Sequence, residues 1–155
     1  MQSLFSSRLR VLIVGVGLVA ALPAAAQYRN ADAAIKYRQS AMSLQGNHLA
    51  RVFAMANGQV PFDAKVAADN IEIIAVINRL QFAAFIDGSD KGNTRAKPEI
   101  WTEKDKFTAA IKKSEEDVTK LAVAGKTGNL DQIKAAAGAV GQSCKACHDA
   151  YQKPQ

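Results

Sequence analysis

Cysteine, proline and aromatic residues are scarce in this chain: of 155 residues, two are cysteine and four proline, and aromatics make up 6%. Two cysteines exclude a disulfide-dense mini-protein and a four-cysteine zinc site. Four prolines and ten glycines exclude collagen-like and linker-like chains. The formal charge of +6 is spread along the chain rather than gathered into a basic run, so nucleic-acid binding is not expected. No nucleophile–base pair and no paired carboxylates stand out, and no enzyme activity is predicted. What is present, 48% apolar and 22% charged residues, is the composition of an ordinary globular domain.

The first 26 residues read as an address. Arg8 and Arg10 form a positive start without an acid, Val11 to Leu22 is an uncharged apolar run, and Ala24-Ala25-Ala26 offers small residues for cleavage. The run is too short to cross roughly 30 Å of hydrocarbon as a helix, so a cleaved signal peptide over 1–26 is expected rather than a membrane anchor. Leu9 separates the two arginines, which favours the general secretory route over the twin-arginine one. Cleavage takes away two arginines and no acid, leaving residues 27–155 with a charge of +4. Export, to the periplasm, puts both cysteines where thiols are oxidised unless bonded to something.

In residues 27–155 no segment alternates apolar and polar residues as a strand would, whereas helical spacing appears four times. The first stretch, Ala31 to Ala56, carries Ala34, Tyr37, Arg38, Ala41, Met42, Leu49, Val52 and Phe53 on one face, and Asn57-Gly58 stops it. The second runs from Asp63 to Phe85 with a seam of Val66, Asn70, Ile73, Ile77, Leu80 and Ala84. Residues 87–103 break the pattern, with Ile100-Trp101 expected to tuck back. The third, Lys104 to Ala124, places Phe107, Ile111, Ser114, Val118 and Leu121 inward and is expected to end at Gly125 and Gly128. The fourth starts at Leu130 and repeats the spacing with Ile133, Ala137, Val140, Cys144, Cys147 and Tyr151. Four amphipathic helices with two short connections and one long one imply an all-α, antiparallel four-helix bundle. The second helix has an apolar arc wider than one seam: Ala67, Ile71 and Ile74 either flank a broad core or face a second subunit.

Cys144-Lys145-Ala146-Cys147-His148 is C-x-x-C-H, the signature of covalent haem c attachment. Two thiols add across the two vinyl groups of one porphyrin, and the following imidazole becomes the proximal iron ligand. Spacings of three and four put all three side chains on one side of a helix, the side already marked by Ile133, Ala137 and Val140. A redox C-x-x-C belongs at a helix N-terminus beside a strand, and no strand is expected here. A zinc site would need His48 as its fourth ligand. A metal-free helical interaction protein would require the motif to be accidental. Only seven residues follow His148, so a sixth iron ligand comes from upstream or is absent. Among His48, Met42 and Met55, His48 lies about 120° and Met55 about 140° around the first helix from Met42. If Met42 faces the iron, the other two do not, and His48 is expected at the surface.

The signal peptide, Tyr37-Arg38-Gln39-Ser40-Ala41-Met42, Lys97-Pro98-Glu99-Ile100-Trp101 and Cys144-Lys145-Ala146-Cys147-His148-Asp149 together closely resemble cytochrome c′, the high-spin branch of the class II cytochromes c. The resemblance spans essentially all of 27–155. It implies one covalent haem c per chain, a five-coordinate iron with His148 proximal, and a homodimer through the first two helices. It further implies binding of nitric oxide and carbon monoxide, with electron transfer to a redox partner that the sequence does not identify. By position, Met42 is the distal screen, Arg38 a haem propionate partner, and Gln39 a second residue near the propionates. The chain departs from the family four residues after the proximal histidine, where a basic residue is common and Gln152 stands instead. Low-spin members of the fold ligate iron through a methionine at the place of Met42, so a low-spin electron carrier with His148–Met42 ligation is the alternative.

Overall fold

A computed structural model describes residues 27–154; the expected signal peptide lies outside the described residues. Five helices follow in order: α1 (Ala31–Ala56), α2 (Ala64–Gln81), α3 (Glu99–Thr102), α4 (Lys104–Thr127) and α5 (Leu130–Tyr151), with a 3-10 turn at Phe82–Ala84 after α2. The three long helices that follow a loop are started by side-chain caps: Asn30 accepts from Ala33 N–H, Asp63 from Val66 N–H and Asn129 from Gln132 N–H. Among the described residues the only β-pairing is an isolated bridge between Ala96 and Gln152.

The long helices form the expected four-helix bundle, α1 packing on α2 and α5, and α4 on α2 and α5. Its core joins Leu49, Val52 and Met55 of α1, Ala67, Ile71 and Ile74 of α2, Val118, Leu121 and Ala124 of α4, and Ile133, Ala137 and Val140 of α5. Two expectations are corrected. The seam of α2 holds only in part: Asn70, Ile77 and Ala84 are buried, but Val66, Ile73 and Leu80 face outward at 45%, 38% and 47%, and Ile71 and Ile74, at 2% and 0%, belong to the core, the first of the two readings given for them. The outward stripe is extended by Val76. The stripe free for another subunit is therefore this one and not Ala67, Ile71 and Ile74. Likewise, Gly125 does not end α4. It is a buried helical residue where a Cβ would stand 3.0 Å from Ile71 Cδ1, so glycine here permits the close approach of α2 and α4. Gly128, at φ 63°, takes the left-handed turn that ends the helix.

The connection 85–98 has no core of its own and is pinned to the bundle from two sides. Arg38 of α1 is 2% exposed and donates to Ala84 O, Ser89 Oγ, Ser89 O and Thr94 Oγ1 at 2.7–3.1 Å. At the other side, Lys97 N–H donates to Tyr151 O, Lys153 N–H to Arg95 O, and Lys97 Nζ to the terminal carbonyls of Asp149 and Ala150. Ile100 and Trp101 do return to the bundle: Ile100 is buried and Trp101 Nε1 donates to Ile86 O.

Candidate functional site

Between α1, the 82–96 segment and the end of α5 lies a cavity of two lobes, about 270 and 160 Å³, that share Met42, Phe82, Cys147 and His148. Cys144, Cys147 and His148 all line it from α5, as one-sided helical spacing requires. Met42 lines it from α1, and Arg38 and Gln39 border the larger lobe. Phe85, Phe107 and Tyr151 form an edge-to-face series along that lobe, with ring centroids 5.1 Å apart at each step. In the smaller lobe Gly46 leaves the α1 wall bare, for a Cβ there would meet nothing within 4 Å.

Electrostatics separate the readings of the C-x-x-C-H motif. Burial pushes the Cys144 thiol up, with Asp117 adding to the effect, and burial also raises Cys147, with Cys144 adding. A redox thiol needs the opposite, a lowered pKa at a helix N-terminus; these thiols sit near the negative end of α5. Both are unpaired with each other as a disulfide. Burial lowers the proton affinity of His148, and the nearby charge of Arg95 lowers it further against a smaller opposing effect of Asp149. The imidazole is thereby kept neutral, the form that binds a metal. A zinc site is not assembled: among the described residues no three or more His, Cys, Asp or Glu converge on a common point. His48 Nδ1–H donates to Asn70 Oδ1 at 2.8 Å, and the ring is half-buried against α2 rather than at the surface. Met55 lies in the core.

The lining fits a haem. The thiols and imidazole share one wall, the rest is largely apolar and aromatic, and Arg38 supplies a buried cation. That cation has no carboxylate partner among the described residues. Burial lowers its pKa to about 10; its charge is stabilised by Phe85, whose ring centroid lies 4.5 Å from Arg38 Cζ. An anionic propionate is the kind of group that offsets such a charge. All four terminal N–H groups of Arg38 are nevertheless taken by the 84–94 segment, so its first structural task is to hold that segment. Gln39 Nε2 donates to Asn93 O and is also a loop anchor. Gln152 is half-buried on the cavity edge, opposite Ala96.

The sequence reading missed the polar end of the smaller lobe. Gln45 and Gln81 line it beside Met42, both buried, and neither is among the inward residues read from helical spacing. Phe53, expected on the same face as Met42, packs near Gly141 of α5. A signal existed: Gln45 follows Met42 by three residues and so shares its face.

Comparison with known proteins follows the same line. The family described as Cytochrome C' matches residues 33–152. The chain is 49% identical over 128 residues to a cytochrome c' of Rubrivivax gelatinosus, covering 82% of this chain and 99% of that one. The crystal structure of that organism's cytochrome c' superposes with a TM-score of 0.81, over 82% of this chain and 100% of the other. Two variants of cytochrome c prime from Alcaligenes xylosoxidans, each 39% identical, also match. The one with bound nitric oxide has a TM-score of 0.79 over 83% of this chain and 99% of its own. The one with bound carbon monoxide has 0.78 over 82% and 99%.

Proposed function

The chain belongs to the cytochrome c′ family, and from that premise we propose that it is an exported haem c protein whose iron, held by His148, takes nitric oxide or carbon monoxide at a face screened by Met42. The observation that carries the reading is the shared cavity: Cys144, Cys147 and His148 enter it from α5 and Met42 from α1. Haem c supplies an iron that cycles between ferric and ferrous and binds diatomic gases. The residues of the chain do the rest. Cys144 and Cys147 anchor one haem per chain through thioethers, and neutral His148 is the proximal ligand. Arg38 faces a propionate while holding the 84–94 segment, and Gln39 reinforces that segment from α1. Met42 fills the distal side by dispersion contacts and leaves room only for small ligands.

The activity proposed is binding and electron transfer rather than enzymatic turnover. The relatives bound to nitric oxide and carbon monoxide support the gas-binding part. The sequence of residues 1–26 supports delivery to the periplasm, and among the described residues no helix is long and apolar enough to cross a membrane. A homodimer through α1 and α2 is supported by the outward stripe of Val66, Ile73, Val76 and Leu80 on α2 and by the exposed Leu44 on α1.

The test is mass spectrometry and absorption spectroscopy of the exported protein. Expected are the mass of residues 27–155 plus one haem, colour that acid–acetone does not extract, and five-coordinate high-spin ferric and ferrous spectra. Extractable haem, or none, overturns the attachment. A ferric charge-transfer band of methionine–iron bonding, lost in Met42→Ala, overturns the screen and makes the protein a low-spin electron carrier.

A further inference from the structure

Four polar side chains from three helices meet beneath Met42. Gln45 Nε2 of α1, Gln81 Nε2 of α2 and Ser114 Oγ of α4 all donate to one atom, Asn78 Oδ1, at 3.2, 3.3 and 3.1 Å. None of the four residues is more than 7% exposed. Their nitrogen atoms being engaged on Asn78, the carbonyl oxygens Gln45 Oε1 and Gln81 Oε1 are left buried with no donor from the described residues. Both glutamines line the smaller lobe of the cavity, together with Met42, Ser143, Cys144 and His148.

Buried acceptors are rarely left unpaired, because each forfeits its hydrogen bonds to water on folding. The haem assigned to this cavity does not supply what is missing. A porphyrin edge carries methyl groups, thioethers and ionised carboxylates, and none of these donates a hydrogen bond. Nor do the nearby hydroxyls: Ser114 is engaged on Asn78 and Ser143 donates to Val140 O. No donor of the described residues, the His148 ring included, reaches either oxygen, and a water has the right capacity, with two O–H groups for two acceptors.

We propose that Gln45 and Gln81 form a hydrogen-bond-accepting subsite in the haem cavity, beside Met42, that holds a water molecule through their two Oε1 atoms. The inference rests on the haem reading above. The ligand class this subsite takes is small and carries O–H or N–H, and the pocket facing an incoming gas is polar on one side rather than uniformly apolar. With both hydrogens directed to the glutamines, the water turns its lone pairs outward, so it presents negative potential to a neighbouring ligand.

Two measurements on the haem-loaded protein test this. A crystal structure at a resolution that orders waters is expected to show one water within hydrogen-bond distance of both Oε1 atoms. In the ferrous carbon monoxide complex of Gln45→Leu, the infrared C–O stretch is expected to move to lower wavenumber, because negative potential near the ligand weakens donation from iron into carbon monoxide. A haem-loaded protein with no water between the glutamines overturns the inference alone. So does a stretch that stays put or rises in Gln45→Leu, the latter because it would mean the amides turn their N–H groups to the ligand. A protein purified without haem overturns the haem reading, and the subsite with it.

Discussion

Replacing Arg38 with methionine separates the two tasks assigned to that residue. The variant keeps an unbranched stem against Phe85 and loses every guanidinium donor. Ala84 O and Ser89 O then lose their donor, at about 1–3 kcal/mol for each buried carbonyl, or roughly 2–6 kcal/mol together. The two hydroxyl partners can turn elsewhere. Against this stands relief from burying an unpaired charge. Burial lowers the Arg38 pKa to about 10, a shift that at about 1.4 kcal/mol per unit corresponds to ~3 kcal/mol. In haem-free chain the two effects nearly offset, and the net loss is at most about 3 kcal/mol. With haem attached, a propionate beside Arg38 has already compensated the charge, so the full loss of roughly 2–6 kcal/mol appears. The assay is urea unfolding of the unmodified protein and the variant, each expressed with and without haem attachment, compared by midpoint at constant slope. The pH dependence has a definite sign. Above pH 10 the unfolded chain holds a proton on Arg38 that the folded haem-free chain has released, so stability rises with pH there. Below that pH the penalty for the buried cation is present in full. Arg38→Met lacks this rise. Equal destabilisation with and without haem would refute the propionate pairing and leave Arg38 as a loop anchor only.

Four other substitutions address the bundle and the site. Gly125→Ala puts a Cβ 3.0 Å from Ile71 Cδ1 and is expected to cost about 1–3 kcal/mol in urea unfolding despite alanine's better helix propensity; Ile71→Val in the same chain should return part of it. Ile73→Lys is expected to dissociate the dimer in sedimentation while leaving monomer stability within about 0.5 kcal/mol, because Ile73 lies on the outward stripe. Ile74→Lys, at a position with 0% exposure, should instead unfold the chain. Met42→Ala should keep the high-spin spectrum and raise the carbon monoxide association rate, measured by stopped flow; an unchanged rate would mean that Met42 does not screen the iron.

How much of this was legible before the structure differs sharply between helices. α1 and the start of α5 were readable to the residue because chemistry there acts locally: Asn57-Gly58 after Ala56, and the cap at Asn129 before Leu130. The C-x-x-C-H spacing was equally local, since three side chains on one helix face need no partner to define them. α2 was misread because it carries two stripes at similar heptad spacing. Val66, Ile73 and Leu80 make one wholly apolar, whereas the other sets Asn78 and Gln81 beside Ile71 and Ile74. Apolar weight favours the first stripe, and the fold buries the second. The reason is not in α2 at all. Asn78 is tolerable inside only because Gln45 and Ser114 approach it from α1 and α4, and the backbone comes close to α4 only because residue 125 is glycine. His48 was misplaced for the same kind of reason, its partner Asn70 being on another helix.

The cavity wall opposite the bundle is made of the chain's least regular segment, and this bears on what the haem must do for the fold. Residues 85–98 bury few side chains of their own, so their position is set by polar contacts: three from Arg38, one from Gln39, and the pairing of 95–97 with 151–153 at the end of α5. All of these are made by protein groups alone, so the larger lobe is shaped without any contribution from a cofactor. The smaller lobe differs. Its two glutamine oxygens have no partner among the described residues, and Gly46 leaves its α1 wall bare. The two ends of one cavity are therefore unequal in what they need. The end bordered by Arg38 is preorganised and receives the haem at little cost in chain entropy. On the haem reading proposed above, the end bordered by Gln45 and Gln81 would be completed only when thioether bonds fix α5 against the haem and a hydrogen-bond donor reaches the glutamines.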